Sequence, residues 1–429
     1  MKLHNKILIG LLSGVTTGMF AQWLTSGNPY LHKQLSTAIE LFIAPFGQLF
    51  LRLILMVLIP LVVSALILGV TQLGKSNNIG SVGFITFKYA IGLGFIAAII
   101  GLVLVNVIKP GAGLDRSQIE LITTSNDTSH EKSNKQLSDV IYNLVPKNPI
   151  EEMAFATRTD SKGGGMISIM FFSVFFAYAL SKCSLESQKH VTNLLQAIYD
   201  ACLNVISIAM KIAPYGVGCL MFTLVYKMGF LIIKLLSKYV MTVLIGLSIQ
   251  QFIVYSIVIT LFTPMKPLQF FKKIKSVMFT GFSTSSSHAT MPHTLDVAQK
   301  KLKLTPSISR FVITLGATCN QNGSALYEGI TVLFLAQAYG IDLTFMDQTI
   351  LIFLSIIASV GTAGAPGGSI PFLAIVLQTV GVPASGILLI LGLERLLDMF
   401  RTVVNVSGDV VLACWVDYSA KKNDKAVSP

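Results

Sequence analysis

Residues 355–409 read SIIASVGTAGAPGGSIPFLAIVLQTVGVPASGILLILGLERLLDMFRTVVNVSGD. The stretch starts apolar, breaks at GTAGAPGGS (361–369), becomes apolar again and turns at VGVPASG (380–386). A last apolar run follows, and it carries Glu394, Asp398, Arg401, Asn405 and Asp409. Spaced three or four residues apart, Asp398, Arg401, Asn405 and Asp409 share one stripe of a helix. A charge inside a bilayer costs roughly 2.5–3.5 kcal/mol or more at the centre, so such residues face a cavity or each other. Two readings stay open at this point. The stripe is either an internal ion-pair seam that only holds helices together, or a polar site for a charged solute.

The whole chain supports the membrane setting. Its 429 residues are 53% hydrophobic and 12% charged, and the mean hydropathy is +0.70; a soluble domain carries about 25% charged residues. Apolar runs long enough for a ~30 Å hydrocarbon core recur from end to end. Without water to satisfy the backbone, such runs must be helices. The expectation is a single all-α polytopic membrane domain over 1–429. The five cysteines (183, 202, 219, 319, 414) show neither paired nor metal-type spacing and read as small packing residues. The net charge of +12 points to no nucleic-acid partner; it follows from where the lysines lie.

From the N-terminus, Lys2, His4 and Lys6 precede an apolar run at 7–24, read as a retained first span rather than a signal peptide. A second span over 39–70 contains Pro60, a short loop carries Lys75 and Lys88, and a third span covers about 89–109. Residues 115–165 are polar and acidic and read as an external loop, with 140–154 a partial amphipathic helix. Further spans are expected at about 166–181, 195–225 (interrupted by Pro214) and 231–262. With both termini in the cytoplasm, most basic clusters fall inside and the acidic loop outside, as the positive-inside rule requires. Lys227, Lys234 and Lys238 go against that pattern.

Two segments are too broken to be plain spans. FSTSSSHATMP (282–292) and SVGTAGAPGGSIP (359–371) each sit between short apolar flanks, as re-entrant hairpins would. Each is followed by a span with a polar interruption: GATCNQNGSALYEG (316–329) after the first, the Asp398–Asp409 stripe after the second. Paired interruptions of this kind point to an inverted-repeat transporter with its site at the membrane midplane. Half-helix N-termini can hold anionic groups, and unwound carbonyls near 320–323 can ligate Na⁺. Arg401 suits a carboxylate, being planar, bidentate and always charged. Asp398, one turn away, suits an ammonium group. Together they describe an acidic amino acid.

The motifs STSSS (283–287), NQNGSALY (320–327), GTAGAPG (361–367) and DMFRTVVNVSGD (398–409) occur in this order. In them the chain resembles the dicarboxylate/amino acid:cation symporter family, the glutamate and aspartate transporters. The resemblance implies eight transmembrane helices, two re-entrant hairpins and a homotrimer in the plasma membrane, the inner membrane of a Gram-negative cell. It implies an elevator, with a scaffold over about 5–75 and 139–225 and a moving transport subdomain over about 82–110 and 231–420. It implies substrate contacts from Ser285, Ser286, Ser287, Ser324, Ala365, Ser369, Asp398, Arg401, Thr402 and Asn405. One sodium site would use Gly316, Asn320, Asn405 and Asp409; a second would use Thr318, Ser359, Val360 and Thr362. No resident cofactor is implied, only sodium ions or protons as coupling ions, and no enzymatic activity.

The chain departs from the family pattern in informative places. A cation-ligating Asp is replaced by Asn322, and the third-helix positions that would face it are Ala90, Leu93 and Gly94. A third sodium site is therefore expected to be lost. Glu328 stands where the animal glutamate transporters carry a proton, which makes it the proton-coupling candidate. The fourth hairpin serine is His288. Competing readings are a carrier for C4-dicarboxylates or for neutral or sulfur-containing amino acids, and an intramembrane hydrolase built on the serine cluster with His288.

Overall fold

The computed structural model describes residues 3–74, 80–113, 145–155, 166–361, 369–383 and 386–427. Every regular element among them is helical. The first helices are α1 (Leu3–Thr25), α2 (Pro29–Ala38), α3 (Ala44–Leu55), α4 (Leu58–Gly74) and α5 (Gly80–Ile108). They are followed by α6 (Pro149–Phe155), α7 (Met166–Leu180) and α8 (Leu185–Met228). A π-helical turn at Ile249–Val254 joins α9 (Phe230–Ser248) to α10 (Tyr255–Phe262). The C-terminal part comprises α11 (Pro267–Thr284), α12 (Ser287–Lys300), α13 (Pro306–Cys319) and α14 (Asn322–Ala338). Last come α15 (Phe345–Gly361), α16 (Ser369–Thr379) and α17 (Ile387–Val427). Among the described residues, four stretches, Asn5–Thr25, Ile85–Ile108, Leu185–Ala209 and Phe230–Phe262, are long and apolar enough to cross a membrane.

Helix α8 packs along α1 and also against α3 and α4, while α4 packs on α7. The α1–α8 contact is close because glycines recur every fourth residue of α1. A Cβ at Gly10 would lie 2.1 Å from the Pro214 carbonyl oxygen, and one at Gly14 2.3 Å from that of Gly218. Small residues four apart let two helix backbones approach without polar glue. The C-terminal helices pack around α17, with α11, α13 and α14 in contact with it, and α5 lies against α14 and α15.

Four details differ from the sequence reading. The helix through Pro214 is continuous and begins at Leu185, ten residues earlier than expected. A proline costs one hydrogen bond and a local clash, which the packing of α8 absorbs. The second span does break, but at residues 56–57; a proline ring at 60 conflicts with the carbonyl four residues back. Lys88 lies inside α5, not in a loop. The only helix described within 140–154 and its flank is the short Pro149–Phe155.

The two broken segments are helical pairs. Helices α11 and α12 pack together and are separated only by Ser285 and Ser286. Helices α15 and α16 also pack together; the GTAGAPGG tip beyond Gly361, including Thr362 and Ala365, lies outside the described residues. The first polar interruption is a true break, since α13 ends at Cys319 and α14 starts at Asn322. The second is not: α17 runs unbroken through Asp398–Asp409.

Candidate functional site

The polar stripe of α17 is wholly internal. Glu394, Asp398, Arg401, Thr402, Asn405 and Asp409 are each at most 3% exposed. Backbone approach on this face depends on glycine. A Cβ at Gly316 would sit 2.6 Å from Asp409 Oδ1, and one at Gly323 would sit 2.6 Å from the Arg401 carbonyl oxygen. These two glycines let the broken α13–α14 segment press directly on the stripe.

At the N-terminal end of the stripe, Arg401 Nη2 donates to Asp398 Oδ1 and, at 3.2 Å, to Glu394 Oε1. The Tyr327 ring lies beneath the guanidinium, 4.7 Å from its carbon, a geometry that favours a cation. Ser369, the first residue of α16, donates its hydroxyl to Glu394 Oε1 at 3.1 Å. Arg395 Nη1 stands 3.5 Å from Asp398 Oδ2. Among the described residues, Arg401 Nη1 and Asp398 Oδ2 are buried without a hydrogen-bond partner. A buried donor or acceptor without a partner costs about 1–3 kcal/mol, more when charged. These two atoms offer a ligand one cationic donor and one anionic acceptor side by side.

The first hairpin approaches from α11–α12. Ser285, at its tip, holds φ +49°, a left-handed conformation unusual for a residue with a side chain. Its hydroxyl is buried and has no partner among the described residues. Ser286 caps α12 by accepting from Ala289 N at 3.1 Å. Ser287 Oγ accepts from Gln321 Nε2 at 3.5 Å. His288 is exposed and makes no Ser–His hydrogen bond among the described residues, so the nucleophile–base pair that a hydrolase requires is not formed there.

Asn405 ties the broken helix to the stripe. Its Oδ1 accepts from Gly323 N at 2.8 Å, and its Nδ2 donates to Gln321 Oε1 and, at 3.3 Å, to Ser324 Oγ. At the far end, Asp409 Oδ1 accepts from Asn320 Nδ2 at 3.1 Å. No salt bridge to Asp409 exists among the described residues. Gly316, Asn320, Asn405 and Asp409, the expected first sodium set, are thus gathered within one region. Of the second set, Thr318 is half-buried on α13 and Ser359 is buried on α15, which packs against α13. The Ser359 hydroxyl donates to the Ile356 carbonyl at 2.7 Å, so a cation there would draw on carbonyls. Only the backbone of Val360 is described.

Asn322 has neutral hydrogen-bond partners among the described residues. Its Nδ2 donates to Asn320 Oδ1 and to the Tyr255 hydroxyl, both at 3.1 Å, and that hydroxyl donates to the Val404 carbonyl. A Cβ on Gly94 would lie 3.6 Å from Asn322 Oδ1, and Leu93 is buried. Gly94 therefore does face Asn322. The π-turn before Tyr255 brings Gln251 to Ser407 Oγ, 2.9 Å away, an example of a π-bulge beside a polar site. Glu328 is fully buried on α14.

Sequence reasoning placed the stripe correctly but passed over Arg395, Tyr327 and Gln321. Arg395 had a local signal, one turn before Asp398 on the same helix. Tyr327 and Gln321 lie in the NQNGSALY motif (320–327), but nothing local pairs them with the stripe, which they meet only through the packing of the broken α13–α14 segment on α17.

A helical membrane protein with a buried, ion-paired polar stripe facing a broken helix and two helical hairpins belongs to the secondary transporters. The chain matches the sodium:dicarboxylate symporter family over residues 3–419 and is a member of it. It is 35% identical over 413 residues to the proton/sodium-glutamate symport protein of Bacillus subtilis, covering 96% of this chain and 91% of the relative. It is 31% identical to the proton/glutamate-aspartate symporter of Escherichia coli, covering 96% and 92%. Mouse excitatory amino acid transporter 3 is 29% identical, covering 98% of this chain and 86% of the relative.

Proposed function

We propose that this protein is a secondary active symporter for an acidic amino acid, L-glutamate or L-aspartate, driven by sodium ions, protons or both. The observation that carries the reading is the buried Arg401–Asp398 pair with one unpartnered atom on each member. Arg401 would take the side-chain carboxylate and Asp398 the ammonium group. Ser285, Ser286, Ser287, Ser324, Ala365, Ser369, Thr402 and Asn405 would complete the pocket. The names of the relatives support the same substrate class.

For the coupling ions, Asp409 with Gly316, Asn320 and Asn405 suits one sodium ion. With a sodium ion bound, the Asp409 carboxylate would supply its counter-charge. Carbonyls near Thr318, Ser359, Val360 and Thr362 suit a second. At Asn322 the amide nitrogen directs its hydrogens at the neighbouring oxygens, which supports fewer than three sodium ions per cycle. Glu328 is then the proton-coupling candidate. In this reading α11–α12 and α15–α16 are re-entrant hairpins of an inverted repeat. Residues of about 82–110 and 231–420 move against a scaffold of about 5–75 and 139–225 in a homotrimer, with both termini cytoplasmic.

The test is uptake of labelled aspartate or glutamate into proteoliposomes, with sodium and pH gradients imposed separately. Accumulation above the external concentration under at least one gradient is expected. Equilibration without accumulation under either gradient would defeat the proposal.

A further inference from the structure

Arg395 has no part in the pocket described so far, yet it stands inside the charge cluster. Its side chain is only 12% exposed, and Nη1 is 3.5 Å from Asp398 Oδ2. Its Nε and Nη1 are buried and donate to nothing among the described residues. Asp398 therefore meets a guanidinium at each oxygen, Arg401 at Oδ1 and Arg395 at Oδ2. The Oδ1 contact is a hydrogen bond, whereas Oδ2 has none. Glu394, Arg395, Asp398 and Arg401 together bring two positive and two negative charges, so the cluster is balanced before any solute arrives.

This balance bears on the ammonium group of the substrate. Oδ1 already accepts from Arg401 whereas Oδ2 accepts no hydrogen bond among the described residues, so Oδ2 is the oxygen with the most open capacity for an ammonium. There it meets the like charge of Arg395 in a buried setting, where Coulomb interactions are poorly screened. A dicarboxylate without an amino group meets no such opposition, and the free Nε and Nη1 of Arg395 are donors it can use. Specificity is a difference between two affinities, and a repulsive element contributes to it as much as an attractive one.

We propose that Arg395 is a specificity-determining residue that competes with the substrate ammonium for Asp398 Oδ2 and so limits how strongly the site favours an amino-bearing dicarboxylate. The proposal rests on the assignment of Arg401 to a carboxylate and Asp398 to the ammonium group. Its test compares aspartate with succinate, which keeps both carboxylates and lacks the amino group. Affinities are measured by competition on the full-length protein in proteoliposomes, for the wild type, Arg395→Gln and Arg395→Lys. Arg395→Gln should raise the aspartate-to-succinate affinity ratio by about tenfold or more, mainly by tightening aspartate, while Arg395→Lys stays near the wild type. If Arg395→Gln does not accumulate as folded protein, Arg395→Met keeps the aliphatic stem and carries the same expectation. An unchanged ratio, an equal weakening of both ligands, or a Lys variant that behaves like the Gln variant overturns the proposal. Arg401→Cys separates the two levels. Retained aspartate binding in that variant defeats the underlying assignment. Its loss, with an unchanged ratio in Arg395→Gln, defeats only the role of Arg395.

Discussion

The stripe on α17 has two unlike ends. Around Arg401 the side chains are charged and mutually paired: Glu394, Arg395 and Asp398 answer one another before any solute enters. Around Asp409, among the described residues, the carboxylate accepts from the Asn320 amide, which in turn accepts from Asn322, itself bonded to the Tyr255 hydroxyl. Burying an ion pair is tolerable when geometry and hydrogen bonds offset desolvation. Burying one carboxylate among neutral groups is costly unless a cation accompanies it. Under the proposed function, the paired end would exchange one set of partners for another on binding the solute, and the end at Asp409 would be completed by a coupling ion.

The largest effect should come from breaking the paired end. Arg401→Cys leaves Asp398 and Glu394 without their shared counter-charge. Removing one partner of a buried pair costs roughly 3–5 kcal/mol, so acidic amino acid affinity should fall by about two to four orders of magnitude. Binding titrations on purified protein check this, and alanine or serine gaining affinity in the variant would sharpen it. At the other end, Asp409→Asn removes the carboxylate. Sodium dependence of uptake should weaken by about tenfold or more, while substrate binding at saturating sodium changes less. An unaltered sodium titration would contradict the division between the ends.

Glu328→Gln probes a carboxylate outside the stripe. Substrate exchange should persist, and the pH dependence of net uptake should disappear; an unchanged pH profile would remove Glu328 from the coupling scheme. The smallest effect concerns Asn322. A carboxylate cannot donate to Asn320 Oδ1 or the Tyr255 hydroxyl, so Asn322→Asp should destabilise the protein by about 1–3 kcal/mol. Thermal unfolding in detergent, with and without sodium, reads this out. A stability that sodium restores fully would mean the neutral network still accommodates a cation.

Much of this was legible in one dimension. The membrane class followed from apolar runs that no soluble domain could bury. The stripe from Asp398 to Asp409 followed from helical periodicity, because residues three and four apart share a face wherever the helix is placed. Helix breaks at Ser285–Ser286 and Asn320–Gln321 followed from Ser, Gly and Asn clusters between short apolar flanks. Ends of elements were less legible. Proline at 214 reads as an interruption, yet α8 continues through it, since neighbouring helices support a local fault that an isolated helix would not.

What the tertiary structure alone decided was which groups meet. Gln321 reaches Asn405 across 84 residues of chain, the Tyr327 ring supports Arg401 from another helix, and Tyr255 bridges Asn322 to the Val404 carbonyl. The sequence by itself determined that a charged stripe existed and that its charges needed partners. Local spacing carries that much because a helix repeats itself over a few residues. The identity of the partners, and with it the contrast between a paired end and an open one, depends on how separate helices pack, and that information is spread over the whole chain.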